Sequence, residues 1–522
     1  MISGRDKVVV IGAGMGGLAS AMRLAHAGLD VTLVDSHAAP GGKMRTVDSA
    51  AGPVDAGPTV LTMRHVFDRL FADVGDALAA HVTLVPEPVL ARHWWPDGSG
   101  LDLYADRQAS AKAVREFAGS RAEAEFLGFC DSAVRLFDAF DVPMMQARSP
   151  SFAKLTAHVL KDPGLIRHMA PLRTLARSLA KQFSDPRLRQ LFGRYATYVG
   201  GSPFRSPAVL GLIWRAEEQG VWAVQGGMHQ LARAMARVAG SQGARLIFGA
   251  HAERIEVRDG AVGAVHLADG RCLPAGRVVF NGDPAALTTG LLGGPSARSV
   301  PQSAATPRSL SAYVWSFAAK PSGPDLTHHN VFFGSDPQQE FGPIGAGLPP
   351  QDPTLYVCAQ DRGAGASPDG LERFEIIMNG APTGTGAPEE PEQCLIRTFE
   401  TLRRFGLIFD PAPGPEAVTT PAGFARLFPA SQGSLYGRSP HGLMAAFRRP
   451  TARTRLPGLY LAGGGAHPGA GVPMATLSGA HAAEAILTDL TSTSTSRPTA
   501  TPGGMSTGSA MTGRARSRSS VS

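Results

Sequence analysis

Apolar and polar positions change rhythm several times along this chain, and each change predicts an element. Val8-Val9-Val10-Ile11 is an unbroken, mostly β-branched run, the pattern of a strand buried on both faces. Glycines follow it. From residue 18 to residue 27 apolar positions recur at helical spacing, and Gly28 supplies the stop. Val31-Thr32-Leu33-Val34 predicts a second strand ending at Asp35, which completes a βαβ unit of about 30 residues. Helical spacing dominates from Ser110, read as an N-cap, to residue 223, with breaks at Pro163, Pro186, Pro203 and Pro207. Strand patterns return at 245–248, 255–257, 262–267 and 278–280, with Asp269-Gly270 as a hairpin turn. Residues 309–447 mix strand-like runs with Pro/Gly-rich loops. Residues 458–462 then predict a strand, followed by glycines and a helix over 474–487. From Thr491 onward Ser, Thr, Gly, Pro and Arg dominate, which predicts disorder.

Composition narrows the class. The chain has 522 residues, 43% hydrophobic and 18% charged, which excludes wholesale disorder and a polytopic membrane protein. At roughly 150 residues per domain, about three domains are expected. Cys130, Cys272, Cys358 and Cys394 lie far apart, with no CxxC and no Cys/His pair at ligand spacing. We therefore expect no disulfide framework and no metal, and a reduced cytoplasmic setting. The net charge of +7 is concentrated: residues 151–194 hold nine Lys/Arg against two acids, and the tail after Leu490 adds four arginines. No nucleic-acid reading motif accompanies this charge, so nucleic acid is not an expected partner. The longest uncharged apolar stretch, residues 8–22, imitates a signal peptide but carries Gly12, Gly14, Gly16 and Gly17. It is too short to span a bilayer and reads as a buried strand and turn.

Gly12-Ala13-Gly14-Met15-Gly16-Gly17 fits GxGxxG between a strand and a helix. In that setting Gly12 permits a tight turn, Gly14 lets a pyrophosphate approach the backbone, and Gly17 lets the helix pack on the sheet. Asp35, 23 residues after Gly12, stands where a carboxylate binds ribose hydroxyls. A second glycine loop, Gly463-Gly464-Gly465-Ala466-His467-Pro468-Gly469, follows the last predicted strand and precedes Met474 at a helix start. An extended FAD spanning both chain ends needs such a second site, whereas NAD on the first unit does not.

The glycine pattern, together with Gly41-Gly42-Lys43-Met44-Arg45, Asp55-Ala56-Gly57-Pro58-Thr59 and the run from Tyr460 to Ala480, resembles the carotenoid/retinoid flavin oxidoreductases of phytoene desaturase type. The resemblance covers the chain to about Leu487. Three segments, at 92–99, 194–207 and 224–229, are similar to the 1-hydroxycarotenoid 3,4-desaturases (hydroxyneurosporene desaturases) of purple bacteria. The resemblance implies an α/β flavoprotein: a Rossmann-like FAD-binding domain, a mixed-sheet substrate domain and a helical membrane-associating region. It implies FAD as cofactor, with Gly12, Gly14 and Gly17 on the pyrophosphate and Asp35 on the adenosine ribose. Gly42 and Lys43 then lie near the phosphates, the Ala252 backbone at adenine, and Gly465, Ala466 and Met474 beside the ribityl chain and isoalloxazine. Asp35 departs from the glutamate more usual in such enzymes, but its shorter arm still reaches a ribose.

The implied partition is 1–90, 224–290 and 451–488 for the FAD-binding domain, 91–223 for the helical membrane-associating region and 291–450 for the substrate sheet, with 489–522 a disordered basic tail. The implied activity is FAD-dependent desaturation of an acyclic hydroxylated carotenoid at its C-3,4 bond, with an electron acceptor that the sequence does not identify. Apolar residues at 165, 169, 172, 175, 179 and 183 alternate with Arg173, Arg177 and Lys181, the pattern of a basic amphipathic helix. We expect it to hold the protein peripherally on a membrane surface; the ordinary alternative is a surface helix facing its own core. His93, His229 and His467 are the motif histidines, with His467 the candidate proton acceptor, and Trp94, Trp95, Tyr195 and Tyr198 are candidate tunnel walls. A phytoene desaturase or another polyene desaturase or isomerase of the family is the near alternative, and an amine oxidase a further one. A non-catalytic prenyl-lipid binder would show eroded pyrophosphate glycines, and here both glycine loops are intact.

Overall fold

The computed structural model of the protein describes residues 7–495 except 367, 385, 387 and 388. Val8, Val9 and Val10 are all buried, in the central strand of a five-stranded parallel sheet. The strand order is Leu459–Leu461, Arg277–Phe280, Lys7–Ile11, Asp30–Val34, Arg245–Ile247, so strands from early and late in the chain share one sheet, with Arg277–Phe280 between them. Val9 lies opposite Thr32 on one side and Val278 on the other. The helix Met15–His26 is clasped between the helices His229–Ser241 and Val472–Thr495. That clasp needs small residues: a Cβ on Gly479 would overlap the Gly16 carbonyl, and Ser20 Oγ donates to the Gly479 carbonyl at 3.0 Å. Strands Ala252–Arg258, Ala261–Leu267 and Cys272–Pro274 form a small antiparallel sheet, with Gly270 at positive φ in the turn.

A second, eight-stranded mixed sheet runs Ile408–Asp410, Ser311–Ser322, Glu372–Gly380, Leu355–Ala359, His329–Phe332, Val89–Trp94, Gly100–Tyr104, with Val418–Thr419 paired to Ser311–Ser322. Its two faces differ, as the period of two dictates. Phe374, Ile376 and Met378 pack with Trp315 and the helix Pro391–Arg404 into a buried aromatic core. The alternate residues Ile377 and Asn379, and Tyr356 opposite Ile377, turn to a cavity.

Helices fill residues 107–218 and cover that cavity, and here three expectations change. Ser110 is not the N-cap: Asp106 caps Arg107–Ala118 by accepting from the Gln108 and Ala109 amides, while Ser110 is buried one turn on and bonds to Tyr104. Pro163 and Pro186 open helices rather than only ending them, because the first turn needs no amide proton at that position. The single basic helix over 165–183 is two helices, Pro163–Met169 and Leu175–Gln182, separated at Ala170 in the left-handed conformation. Leu165, Leu175, Leu179 and Phe183 all face inward, so four of the six stripe residues are core. Leu172 of the stripe is left in solvent, and with Val142, Phe152, Leu160 and Ile166 it accounts for five of the twelve strongly exposed large apolar residues described. At the chain's end, Val472–Thr495 runs past the expected boundary at 489, held by Asp489 on Arg453 and Tyr460. The rest of the expected tail, 496–522, lies outside the described residues.

Candidate functional site

The first glycine loop is packed so tightly that most of its positions admit no side chain. Gly12 has φ +101°, a conformation natural only to glycine. A Cβ on Gly17 would overlap the Gly12 carbonyl, and one on Gly16 would sit 2.5 Å from the Gly463 nitrogen of the second glycine loop. Gly14 is different. Its Cβ would meet the Asn281 amide nitrogen at 3.0 Å and the Gly41 carbonyl no closer than 4.0 Å. Asn281, at the end of Arg277–Phe280, ties the loops together by donating Nδ2–H to the Gly12 carbonyl. Sequence reading passed over it; its place directly after a β-branched run was the available signal.

Asp35 ends its strand 8% exposed. Its carboxylate accepts from the Ala13 amide at 2.6 Å and from the His37 amide at 2.7 Å, with His37 Nδ1 at 2.9 Å. That hydrogen bond to Asp35 raises the His37 pKa. The Ala250 amide donates to the Asp35 carbonyl, which lays the strand starting at Ala252 alongside. Gly41 donates to the Ala13 carbonyl and Gly42, at positive φ, stacks on Gly14. The next residue, Lys43, points to the neighbourhood of Asp283, Arg308 and Arg449. Its ammonium donates to the Leu435 carbonyl at 2.5 Å and lies 5.5 Å from the Phe428 ring, and burial pushes its pKa down to about 8. Asp283 is spent on Arg308. Arg449 donates to the carbonyls of Gly464, Tyr436 and Arg438, and burial lowers its pKa to about 10. Among the described residues Lys43 and Arg449 form no ion pair, and these two cations with the glycine loops make a cradle that fits an anionic diphosphate. In the second loop a Cβ on Gly465 would clash with Pro284, Ala466 is fully buried, and Met474 stands in a cavity wall.

Distant motifs meet here. Asp55 accepts from the Met228 amide at 2.6 Å and the His229 amide at 3.1 Å, holding the start of His229–Ser241, and burial raises its pKa. Beside it Glu375 is buried near the Thr59 hydroxyl and the Gly57 amide, and burial first, then Asp55, push its pKa well up. Thr59 of the same segment pairs with Tyr356 at 2.8 Å, and Tyr356 with His329 Nδ1 at 2.7 Å.

The cavity encloses about 770 Å³ and is walled mainly by apolar side chains, among them Val60, Met63, Phe137, Phe140, Leu155 and Met169. One part of its wall is the second glycine loop from His467 to Met474; others are Thr59, Tyr356, Arg194, Tyr198 and Glu340. Of the expected tunnel aromatics only Tyr198 lines it. Tyr195 lies behind, with its hydroxyl on Glu217, while Trp94 stacks on Phe332 and Trp95 on Phe333 in the protein core. His93 is also core, bonded to the Leu101 carbonyl and pushed down to about 3 by burial. His229 binds the Pro40 carbonyl. His467 does reach the cavity: its Nε2 is 2.8 Å from the Ala147 carbonyl, and burial lowers its pKa, opposed by the Ala147 and Met144 carbonyls. The cysteines are free, yet folding gathers His328, His329 and Cys358, and separately Glu256, His266 and Cys272, into groups that spacing could not reveal.

Comparison with known proteins matches residues 15–487 to the flavin containing amine oxidoreductase family. The hydroxyneurosporene desaturase of Cereibacter sphaeroides is 61% identical over 94% of this chain and 99% of that protein. That of Rhodobacter capsulatus is 54% identical over 92% and 98%. Among solved structures, wild-type putrescine oxidase bound to putrescine superposes with a TM-score of 0.58 at 14% identity, covering 92% of this chain and 99% of that one, which shows the shared fold. The chain therefore belongs to the flavin containing amine oxidoreductases, in their carotenoid-desaturase branch, as an oxidoreductase with FAD as cofactor.

Proposed function

We propose that the protein removes two hydrogens across the C-3,4 bond of an acyclic hydroxylated carotenoid of the 1-hydroxyneurosporene type. The observation that carries this reading is the apolar cavity of about 770 Å³ that ends on the second glycine loop. A long polyene offers apolar surface and almost no polar handles, and such a wall matches it.

Gly12, Gly14 and Gly17 would hold the pyrophosphate, with Gly42 and Lys43 beside it; Asp35 would bind the ribose, and the Ala252 backbone would meet adenine. Gly465, Ala466 and Met474 would border the flavin ring. Bound FAD supplies the acceptor for hydrogen leaving as hydride. The apolar wall aligns the substrate and keeps water from the electron-poor carbon skeleton. His467 is the proposed proton acceptor: burial keeps it neutral, Nε2–H is given to Ala147, and the Met144 carbonyl favours the proton once taken.

The substrate dissolves in lipid, and we propose that the protein lies on an anionic bilayer. No described helix is long and apolar enough to cross a membrane. Support comes from exposed Val142, Phe152, Leu160, Ile166 and Leu172, which are interleaved in sequence with Leu155 and Met169 of the cavity wall and with exposed Lys154, Lys161, Arg167 and Arg173.

The test is anaerobic mixing of FAD-loaded protein and liposomes with 1-hydroxyneurosporene, followed by product mass and spectrum. Loss of two hydrogens with a red shift is expected, and His467→Ala should slow flavin bleaching by roughly a hundredfold at unchanged FAD content. Turnover of unhydroxylated polyenes alone would return the phytoene desaturase alternative, and equal rates in His467→Ala would remove that residue from the chemistry.

A further inference from the structure

Arg194 is an anomaly in this cavity wall. It opens the short helical turn Arg194–Val199 and lines the apolar space. Its Nη2 donates to the Tyr198 hydroxyl at 3.1 Å, but its Nε is buried with no acceptor. Among the described residues it forms no ion pair. The nearest acid, Glu217, instead accepts from the hydroxyls of Tyr195 and Tyr198. A guanidinium cannot shed its charge, so unspent donors against an apolar wall are costly unless a ligand brings an acceptor. Glu340, a second ionisable group in the wall, is not comparable, since both its oxygens are engaged, by Asn379 Nδ2 at 2.8 Å and the Thr354 amide at 3.4 Å.

Position completes the argument. A Cβ on Gly200, which ends this turn, would lie 2.5 Å from the Tyr436 ring. The Tyr436 carbonyl is held by the same Arg449 that holds Gly464 of the second glycine loop. Arg194 and the loop assigned to the flavin ring thus wall the same cavity, joined through Gly200, Tyr436 and Arg449. In a 1-hydroxylated polyene C-3 is only two carbon–carbon bonds from the carbon bearing oxygen, so whatever reads the oxygen must stand near the site of hydrogen removal.

We propose that Arg194 is the specificity-determining residue that donates a hydrogen bond to the oxygen at the end of the polyene, fixing which end enters and which bond is desaturated. This rests on the hydroxycarotenoid reading above. Tyr198 is a positioning residue, holding the guanidinium through Nη2 while Glu217 holds Tyr198. Because Arg194 only donates, it accepts an alcohol or an ether oxygen equally, and it rejects a hydrocarbon end, which would leave its donors unpaired.

The experiment uses holoenzyme with three polyenes of equal length: the terminal tertiary alcohol, its methyl ether and the unoxygenated hydrocarbon. Two quantities are read for each: equilibrium binding by quenching of protein fluorescence, and anaerobic flavin bleaching. Wild type should prefer alcohol and ether over hydrocarbon by roughly a hundredfold in both. Arg194→Met should collapse that preference to a few-fold at unchanged FAD content. A preserved preference in Arg194→Met would overturn the proposal, as would a wild type that binds all three alike. If Arg194→Met does not fold, Tyr198→Phe should cut the preference several-fold, and no change there would overturn it. Failure of all polyenes to bleach the flavin, with the binding preference intact and lost in Arg194→Met, would sink the desaturase reading and leave the oxygen-reading role standing.

Discussion

The glycine cradle and the cavity wall are built on opposite terms. In the cradle the constraint is backbone against backbone: Gly16 against Gly463, Gly17 against Gly12, Gly479 against Gly16. Nothing at those three contacts can move aside, so glycine is dictated at Gly16, Gly17 and Gly479. In the cavity wall the constraint is volume and polarity shared among side chains from Pro58 to Met474, and one apolar residue can replace another with modest loss. A rigid glycine cradle thus sits beside an adaptable apolar cavity, and most variants should separate the two.

The largest effect expected tests whether the cradle itself has two kinds of glycine. Gly17→Ala drives a methyl into the Gly12 carbonyl, and it should cost about 3 kcal/mol or more, seen as lost soluble holoprotein and a lower melting temperature. Gly14→Ala meets only a movable Asn281 side chain, so the fold should survive while FAD retention drops by roughly tenfold or more. If Gly14→Ala keeps FAD as well as wild type, the open side of Gly14 is not where the diphosphate lies.

The same contrast explains what could be read from the sequence. The βαβ unit, Asp35 at its strand end and the second glycine loop were legible because each obeys a local rule: a β-branched run, a positive φ, a helix start. Asn281 was not, since its role depends on Gly12, 269 residues away, and Arg449 was not, since the carbonyls of Gly464, Tyr436 and Arg438 turn to it only once their loops are folded. The single basic helix expected over 165–183 is two helices, which periodicity alone could not show. The stripe's periodicity is real, but which face is left in solvent depends on the helix Ser120–Phe140 and the aromatic residues Phe129 and Phe192 that claim Leu175, Leu179 and Phe183 for the core. Arg194 was visible only as part of a familiar segment, because an unspent donor shows once its neighbours are placed.

The rim gives the next effect in size and distinguishes two anchoring forces. Phe152→Glu with Leu172→Glu should lower partition onto anionic liposomes by roughly tenfold or more, and equally at low and high salt, because apolar burial is lost. Reversal of Arg173, Arg177 and Lys181 should lower it less, at about 1 kcal/mol per charge or below, and only at low salt. Flavin content should stay constant in both. An unchanged liposome pellet for the Phe152/Leu172 pair would move the anchor away from this rim.

The smallest effect is a proton linkage at the border of the two regions. Burial lowers Lys43 to about 8, so in the apoprotein it is charged below that pH and neutral above it. A diphosphate is held by the charged form, so FAD affinity should be flat below pH 8 and fall by at most about tenfold per pH unit above it, a few-fold by pH 8.5. Stability of the apoprotein should run the other way. The folded pKa lies below the unfolded value, so the unfolded chain binds more protons between about pH 8 and 10.5, and the apoprotein gains stability as pH rises through that window. Asp283, Arg308 and Arg449 face the same space, and Asp283 alone among them raises the Lys43 pKa. Lys43→Met should abolish both slopes while leaving polyene binding intact. Opposed slopes that vanish together in one variant would tie Lys43 to the cofactor and not to the cavity; a polyene affinity that changed with them would show that cradle and cavity are less separable than their construction suggests.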